Sequence, residues 1–334
     1  MKRVFTIIFI FFLGKIATAQ DPHFSQFFAS PLTLNPAFTG KFNGNYRLSA
    51  NYRNQWPTIN NAFITSTGSI DFHIMESKIP NNDMFGMGFS LLTDNSASGA
   101  VKFNYASFST AYHKGLDEDG NNQLGVGIQA TYSNMIINTS NLKFEDQLTT
   151  TGFNGISLEN FNGATLQSNY LDLNAGFLFN GSSNENNNYY FGISAYHINQ
   201  PKQKFAGNSY PINTRITAHA GAFFLLNENI GLHFSGLHST QGGSLETVVG
   251  GAAQFIANPS AASPVSIYAG SWLRLKDAII PYFGLEFSNA RLGISYDVNT
   301  SSLKTASLNR GGIEISLIYT NQPNTDRPIN CPKF

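Results

Sequence analysis

From about residue 45 to residue 320 the chain alternates apolar and polar residues in segments of about ten, separated by clusters of Asn, Gly, Ser and Asp. A repeat of two is the repeat of a β-strand whose two faces meet different surroundings; a helix would repeat every 3.6 residues. The clearest segments are 45–54, where Tyr46, Leu48, Ala50 and Tyr52 alternate with Arg47, Ser49, Asn51 and Arg53, and 122–133, where Leu124, Val126, Ile128 and Tyr132 alternate with Gly125, Gly127, Gln129 and Thr131. Equally regular patterns occupy 170–180, 290–299 and 311–320. Weaker ones fall at 62–75, 84–94, 100–113, 188–198, 212–226, 229–239, 244–256, 264–276 and 278–288, which brings the expected strands to fourteen. The remaining long stretches, 138–168, 181–188 and 199–211, read as polar connections.

Alternation by itself suits a soluble sandwich as well as a membrane barrel, so the contents of the polar face decide between them. The charged residues Asp71, Lys102, Asp172, Arg215, Glu246, Arg274, Glu286, Arg291, Asp297 and Glu314 share parity with Gly, Ser, Asn and Thr, and the apolar parity is left uncharged. That segregation is required where one face meets lipid, because a midplane Arg or Lys costs about 2–4 kcal/mol there. Composition agrees: only 12% of residues are charged, half of the roughly 25% usual in soluble domains. Aromatics make up 13%, and Tyr46, Tyr52 and Tyr319 near the segment ends suit interfacial girdles. An even number of strands, each long enough for a tilted crossing, completes the expectation of an all-β, transmembrane antiparallel β-barrel of about 14 strands. Outer-membrane lipid is then an obligatory partner. The balance of 20 basic and 20 acidic residues offers nothing to attract nucleic acid.

The segment MKRVFTIIFIFFLGKIATAQ places Lys2 and Arg3 before an apolar run that Lys15 closes, followed by Ala17-Thr18-Ala19. It has the anatomy of a secretory signal peptide, expected over 1–19, and the run is too short to span a bilayer. Residues 20–44 then form a leader, 45–320 the barrel, and 321–334 a tail with the single cysteine, Cys331, which has no internal disulfide partner. The leader concentrates Phe24, Phe27, Phe28, Leu32, Leu34 and Phe38 outside any strand pattern. So many aromatics left in water would be an aggregation liability. We expect residues 21–43 to fold against or into the barrel and constrict its lumen, with Phe24, Phe27, Phe28, Leu34, Asn35 and Pro36 as plug residues.

Motifs for chemistry are weak. Gly125, Gly127 and Ala130 in GVGIQA imitate a dinucleotide-binding fingerprint, but they lie inside a strand instead of between a strand and a helix. Glycines there let a lumen stay open or let something pack close. Ser140-x-x-Lys143 and Ser301-x-x-Lys304 lack the companion motifs of a serine nucleophile. None of the seven histidines has a metal-ligand spacing, and the acidic turn 117–121 lacks the spacing of a calcium loop. No catalytic, cofactor-binding or metal-binding residue is expected.

The leader DPHFSQFFASPLTLNPAFTG closely resembles the PorP/SprF family of type IX secretion outer-membrane proteins from Bacteroidetes. The likeness continues in YRNQWP at 52–57, GISAYHINQP at 192–201, GGIEISLIY at 311–319 and RPINCPKF at 327–334, where Lys333 replaces an arginine of many relatives. Asn35-Pro36-Ala37 is also similar to an element near the start of the fatty-acid-transporter barrels. The resemblance implies a non-enzymatic outer-membrane component that engages a secreted protein, or its C-terminal sorting domain, for export or surface anchoring linked to gliding motility. It also implies contacts with periplasmic-ring or peptidoglycan-associated proteins. Arg47, Arg53, Trp56 and Arg215 are the expected lumen or partner contacts. The apolar leader leaves a second reading open, a passive barrel for a small hydrophobic solute.

Overall fold

The computed structural model describes residues 21–321, apart from 60–61, 76–77, 81, 160, 162–164, 185, 206 and 260–263. The expected signal peptide and the tail with Cys331 lie outside the described residues. Fourteen strands close into one barrel. They are β1 (Tyr46–Gln55), β2 (Phe63–His73), β3 (Met84–Ser96), β4 (Val101–Gly115), β5 (Gln123–Asn138), β6 (Thr165–Asn184) and β7 (Asn187–Tyr196), followed by β8 (Arg215–Asn227), β9 (Ile230–Gln241), β10 (Ser244–Ala257), β11 (Val265–Arg274), β12 (Ala278–Phe287), β13 (Ala290–Asn299) and β14 (Arg310–Thr320). Each pairs antiparallel with its neighbours in sequence, and β1 pairs with β14 from Arg47↔Thr320 to Gln55↔Gly312, so the barrel itself is closed without an edge.

The usual arrangement of a soluble protein is inverted. In β1 the residues Arg47, Ser49, Asn51 and Arg53 are buried, whereas Leu48, Ala50 and Tyr52 between them are exposed. The same holds around the wall, where Leu91, Val126, Ile128, Leu171 and Phe283 face outward. An exterior of this kind is stable only in hydrocarbon. Outward aromatic pairs Tyr46–Tyr319, Phe85–Tyr112 and Phe179–Tyr189 collect near one rim. Toward the other rim Thr93, Asn104, Asn134 and Asn169 form a hydrogen-bonded ladder on the outer face of β3–β6, which marks where these long strands leave the lipid for water.

Three sequence expectations need correction. Lys102 shares the outward parity of β4 with Ala106, Phe108 and Tyr112 and is exposed. It is tolerated because it is the second residue of its strand, beyond the asparagine ladder, at a height from which a long side chain can carry its ammonium to water. The stretch 181–188 is not a polar connection: β6 continues to Asn184 and β7 resumes at Asn187. Its polar residues Ser182 and Asn188 face inward, like Asn180 before them, and the Tyr189 ring covers Gly181 on the outer face, where an added Cβ would lie 2.6 Å from it. The connection 199–211 contains a hairpin, Lys202–Phe205 paired with Asn208–Pro211.

The two longest connections, 139–164 and 197–214, open at the same end of the barrel, and the two-residue turns 228–229 and 288–289 lie at the other. The leader runs inside the wall from the long-loop end to the short-turn end. It contains three short helical turns, Phe27–Ala29, Pro31–Leu34 and Pro36–Phe38, joined through Ser30 and Asn35, and delivers the chain to β1. Prolines at the first positions of the second and third turns suit this path, since neither needs an N–H there.

Candidate functional site

The lumen and its occupant form the site. At the long-loop end, Asp21 is clamped by the ends of three strands: Gln241 Nε2 donates to its carboxylate (3.0 Å), Arg215 Nε lies 3.5 Å away, and His197 Nε2 lies at 2.8 Å. The other nitrogen of His197 is 3.0 Å from Asp172. Burial pushes the His197 pKa down, but the two carboxylates outweigh it and raise it to about 9, so the ring is charged at neutral pH. Burial pushes the Asp21 carboxyl up, and Arg215 with His197 more than reverse this, to about 2.

Below this clamp is a dense ionic hub. The Glu314 carboxylate accepts from two successive backbone amides, Ser25 N (2.7 Å) and Gln26 N (3.0 Å). Arg53 donates to the His23 carbonyl (2.8 Å) and to Asp297 (2.9 Å), and Arg274 to Asp297 (2.8 Å), Glu246 (3.0 Å) and Ser25 Oγ (2.7 Å). Arg53 is only 2% exposed, and Asp297 and Glu314 2% and 1%. Charges so deeply buried persist only when paired and hydrogen-bonded. Here the leader's main chain supplies part of that pairing, so hub and leader order each other.

One sector of the wall is aromatic. Phe28 lies 4.8 Å from the Trp272 ring and 5.4 Å from Tyr282, which cross each other at 90°, with Tyr268 completing the box. The indole N–H donates to Ser235 Oγ (3.0 Å) and the Tyr268 hydroxyl to Glu286 (2.7 Å), so the box walls are fixed in orientation. Offset and edge-on aromatic contacts add about 0.5–1.5 kcal/mol per pair beyond area burial. The space beside Phe28 has a volume of about 20 Å³, room for about one water molecule.

The second half of the leader rests on a belt of small residues held in register across β3 to β7: Gly86↔Ala111, Ala111↔Gly127, Gly127↔Gly176 and Gly176↔Ser194. A Cβ on Gly176 would come 1.8 Å from Asn35 Oδ1, one on Gly127 2.5 Å from Ala37 N, and one on Gly86 2.5 Å from the Thr39 carbonyl. Asn35 has its side-chain oxygen on Ala37 N (2.8 Å) and its amide on the Phe177 carbonyl (2.9 Å) and His219 (2.9 Å). Pro36 is buried in the turn that Asn35 caps, and Leu34 is buried with its carbonyl accepting from Ser194 Oγ (2.8 Å). Phe24 and Phe27 are buried with the hub and the box.

Of the wall residues singled out from sequence, three arginines converge on the leader's carbonyls. Arg47 donates to Phe38 (3.1 Å) and Lys41 (3.5 Å) while pairing with Asp71 (2.7 Å), Arg53 reaches His23, and Arg215 reaches Thr33 (3.5 Å) and lies 4.3 Å above the Tyr196 ring. Trp56 stands apart. It occupies the turn after β1, with a left-handed φ of 52°, and packs edge-on against Phe63 at 5.7 Å. Sequence reasoning left Glu314, Arg274, Asp297, Trp272 and Tyr282 out of the site. Their signal was parity: each lies on the face that carries the charges of its own strand or of its neighbour.

Among the described residues no cluster of His, Cys, Asp and Glu has the arrangement of a metal site. His233 is buried against Phe223 and Tyr268, and His238 faces outward.

A closed fourteen-strand barrel with an apolar exterior and an internal N-terminal leader defines an outer-membrane protein. The chain belongs to the PorP/SprF family of type IX secretion system membrane proteins, whose family model matches residues 16–319. No curated protein matches it. Among solved structures, it is similar to a ΔS2S3 mutant of TodX described as a monoaromatic hydrocarbon channel, at 9% identity, 87% of this chain and 94% of that one, with a TM-score of 0.50. It is also similar to the toluene transporter TbuX of Ralstonia pickettii (11% identity, 92% and 96%, TM-score 0.49) and to the toluene transporter TodX of Pseudomonas putida (9%, 90% and 94%, 0.48). Identities this low speak to the barrel fold alone.

Proposed function

We propose that this barrel works within type IX secretion as a non-enzymatic receptor that engages a secreted protein, or its C-terminal sorting domain, for export or for anchoring at the cell surface in gliding motility. The long-loop end would face outward, as in other outer-membrane barrels, and the short-turn end would meet periplasmic-ring or peptidoglycan-associated components. Removal of residues 1–19 would leave the leader at the start of the mature chain. The observation that carries the reading is the occupied lumen: a leader bound along its length by wall side chains makes a holder of polypeptide, not an open conduit. Arg47, Arg53 and Arg215 are the wall groups we assign to polypeptide contact, and Phe24, Phe27, Phe28, Leu34, Asn35 and Pro36 the plug.

Affinity purification from native outer membranes tests this. A secreted protein with a sorting domain, and other secretion components, are expected to co-purify; their absence from a properly inserted barrel would sink the reading. The alternative, passage of a small hydrophobic solute, draws on the Trp272–Tyr282 box, whose lining suits an aromatic ring, yet Phe28 already occupies it. A deletion strain that secretes normally but takes up less aromatic hydrocarbon would favour that alternative.

A further inference from the structure

The wall touches the leader in a particular way. Many of its polar side chains address main-chain groups, not the side chains that make the leader's sequence distinctive. Carbonyls are met at His23 by Arg53, at Leu32 by Gln129 (3.2 Å) and Tyr196 (3.1 Å), at Leu34 by Ser194 and at Phe38 by Arg47; amides are met at Asp21 by Gln241 (2.8 Å), at Ser25 and Gln26 by Glu314, and at Gly40 by Asp71 (2.8 Å). Carbonyls and amides are common to every polypeptide. Side chains are read as well: Asp21 in the clamp, Ser25 by Asp297 and Arg274, Gln26 by Ser295 and Ser316, Phe28 by the Trp272–Tyr282 box, and Asn35 by the Phe177 carbonyl and His219 beside the glycine belt.

We propose that the lumen is a peptide site read largely through main-chain groups, that the leader is its resting occupant, and that a segment of a secreted protein able to form the same short turns, with one phenylalanine-sized aromatic residue, takes the leader's place. The nature of the incoming chain rests on the receptor function proposed above; the exchangeability of the leader does not. Three features set the ligand's chemistry. The hub supplies an acceptor for the consecutive N–H groups of Ser25 and Gln26, which point the same way only at a turn, and donors for carbonyls, so it selects a turn-forming stretch of chain. Beside the Phe28 ring the box leaves space for about one water, less than the second ring of an indole needs. Glu314, Asp297 and Arg274 remain buried in the resting state, so an incoming chain must again supply main-chain partners to the charges that the leader abandons.

The test uses the full chain in detergent and a fluorescent synthetic peptide of residues 21–42. Phe28→Ala in the protein loosens the resident leader and leaves every wall group intact. That variant is expected to bind the peptide at least tenfold more tightly than wild type, and a peptide carrying the same substitution, or one with Trp at that position, is expected to lose the gain. Phe28→Leu serves in the same role should Phe28→Ala fail to give a heat-modifiable, folded barrel. Equal peptide affinity in wild type and the folded variant would overturn the proposal, as would a variant that dimerises through exchanged leaders, since a second copy would then be the occupant. Competition by a purified sorting domain of a co-exported protein is the second arm. If the leader peptide binds as expected but the sorting domain fails to compete, the exchangeable leader stands and the identity of the incoming chain falls together with the receptor function.

Discussion

At the scale of single residues, the sharpest constraints come from atoms that are missing. Gly176 has no room for a methyl group, because the side-chain oxygen of Asn35 stands where the Cβ would be, whereas a Cβ on Gly68, which faces outward from β2, would meet nothing within 4 Å. Gly176→Ala should therefore expel or distort the Asn35–Ala37 turn at a cost of about 1–3 kcal/mol or more, the usual penalty of overpacking. Gly68→Ala should be neutral, and protease protection of the leader in the folded barrel measures both. His197 makes a pH prediction. Its folded pKa is raised to about 9, so its stabilising contribution is complete below the unfolded value of 6.5 and is lost as pH rises through about 9. Asp21, with a depressed pKa, contributes above 3.8 and loses its contribution as pH falls toward about 2. The groups facing His197 are Asp21 and Asp172, with Arg215 beside Asp21. We expect the thermal midpoint of the barrel to drop between pH 7 and pH 10, by an amount equivalent to up to about 3 kcal/mol. His197→Gln should be less stable at pH 7 and show most of that drop abolished.

At the scale of elements, the leader and the wall are mutually dependent. Arg53 sits between Asp297 (2.9 Å) and Glu314 (3.8 Å), and its loss would remove the cation beside Glu314 and leave Asp297 with Arg274 (2.8 Å). Arg53→Met should destabilise the barrel by about 3–5 kcal/mol, the typical cost of breaking a buried pair from one side. Thermal gel-shift midpoints will show it, and a change under about 1 kcal/mol would mean that the hub tolerates water. Deleting residues 21–40 goes further, emptying the lumen while leaving the strands. Fourteen-strand barrels fall between the filled eight-strand barrels and the aqueous channels of sixteen or more. We expect single-channel conductance to rise and detergent stability to fall in the deletion. Unchanged values of both would show that the leader does not constrict the lumen.

At the scale of the whole molecule, sidedness is the feature that connects structure to secretion. Both long connections open at one end, and the 139–164 connection leaves Ile156 and Leu158 93% and 91% exposed. With that end outward, external protease on intact cells should cut within 139–164 and spare the two-residue turns at the opposite end. Cleavage only after the outer membrane is permeabilised would reverse the orientation and with it the assignment of the periplasmic partners.

The sequence alone determined the barrel, because alternation is a local property: each residue's neighbours two positions away reveal which face it shares, and all fourteen strand segments could be read in this way. It determined the leader's burial less directly, through the cost of leaving Phe24, Phe27, Phe28 and Phe38 in water. Where local pattern was weak, parity misled, as with Lys102, whose tolerance depends on its height relative to the lipid, and with 181–188, where lumen-facing polar residues imitate a loop. Only the tertiary structure decided what lies across the lumen from what. Glu314 and Ser25 are 289 positions apart and Trp56 lies outside the contacts that Arg53, three residues earlier, makes with the leader. The glycine belt depends on inter-strand register across five strands, a quantity set when the barrel closes and recorded in no single segment. The physical reason is the same in each case: a strand's own hydropathy specifies which way its side chains point, and only the closure of the sheet around the leader specifies what they meet.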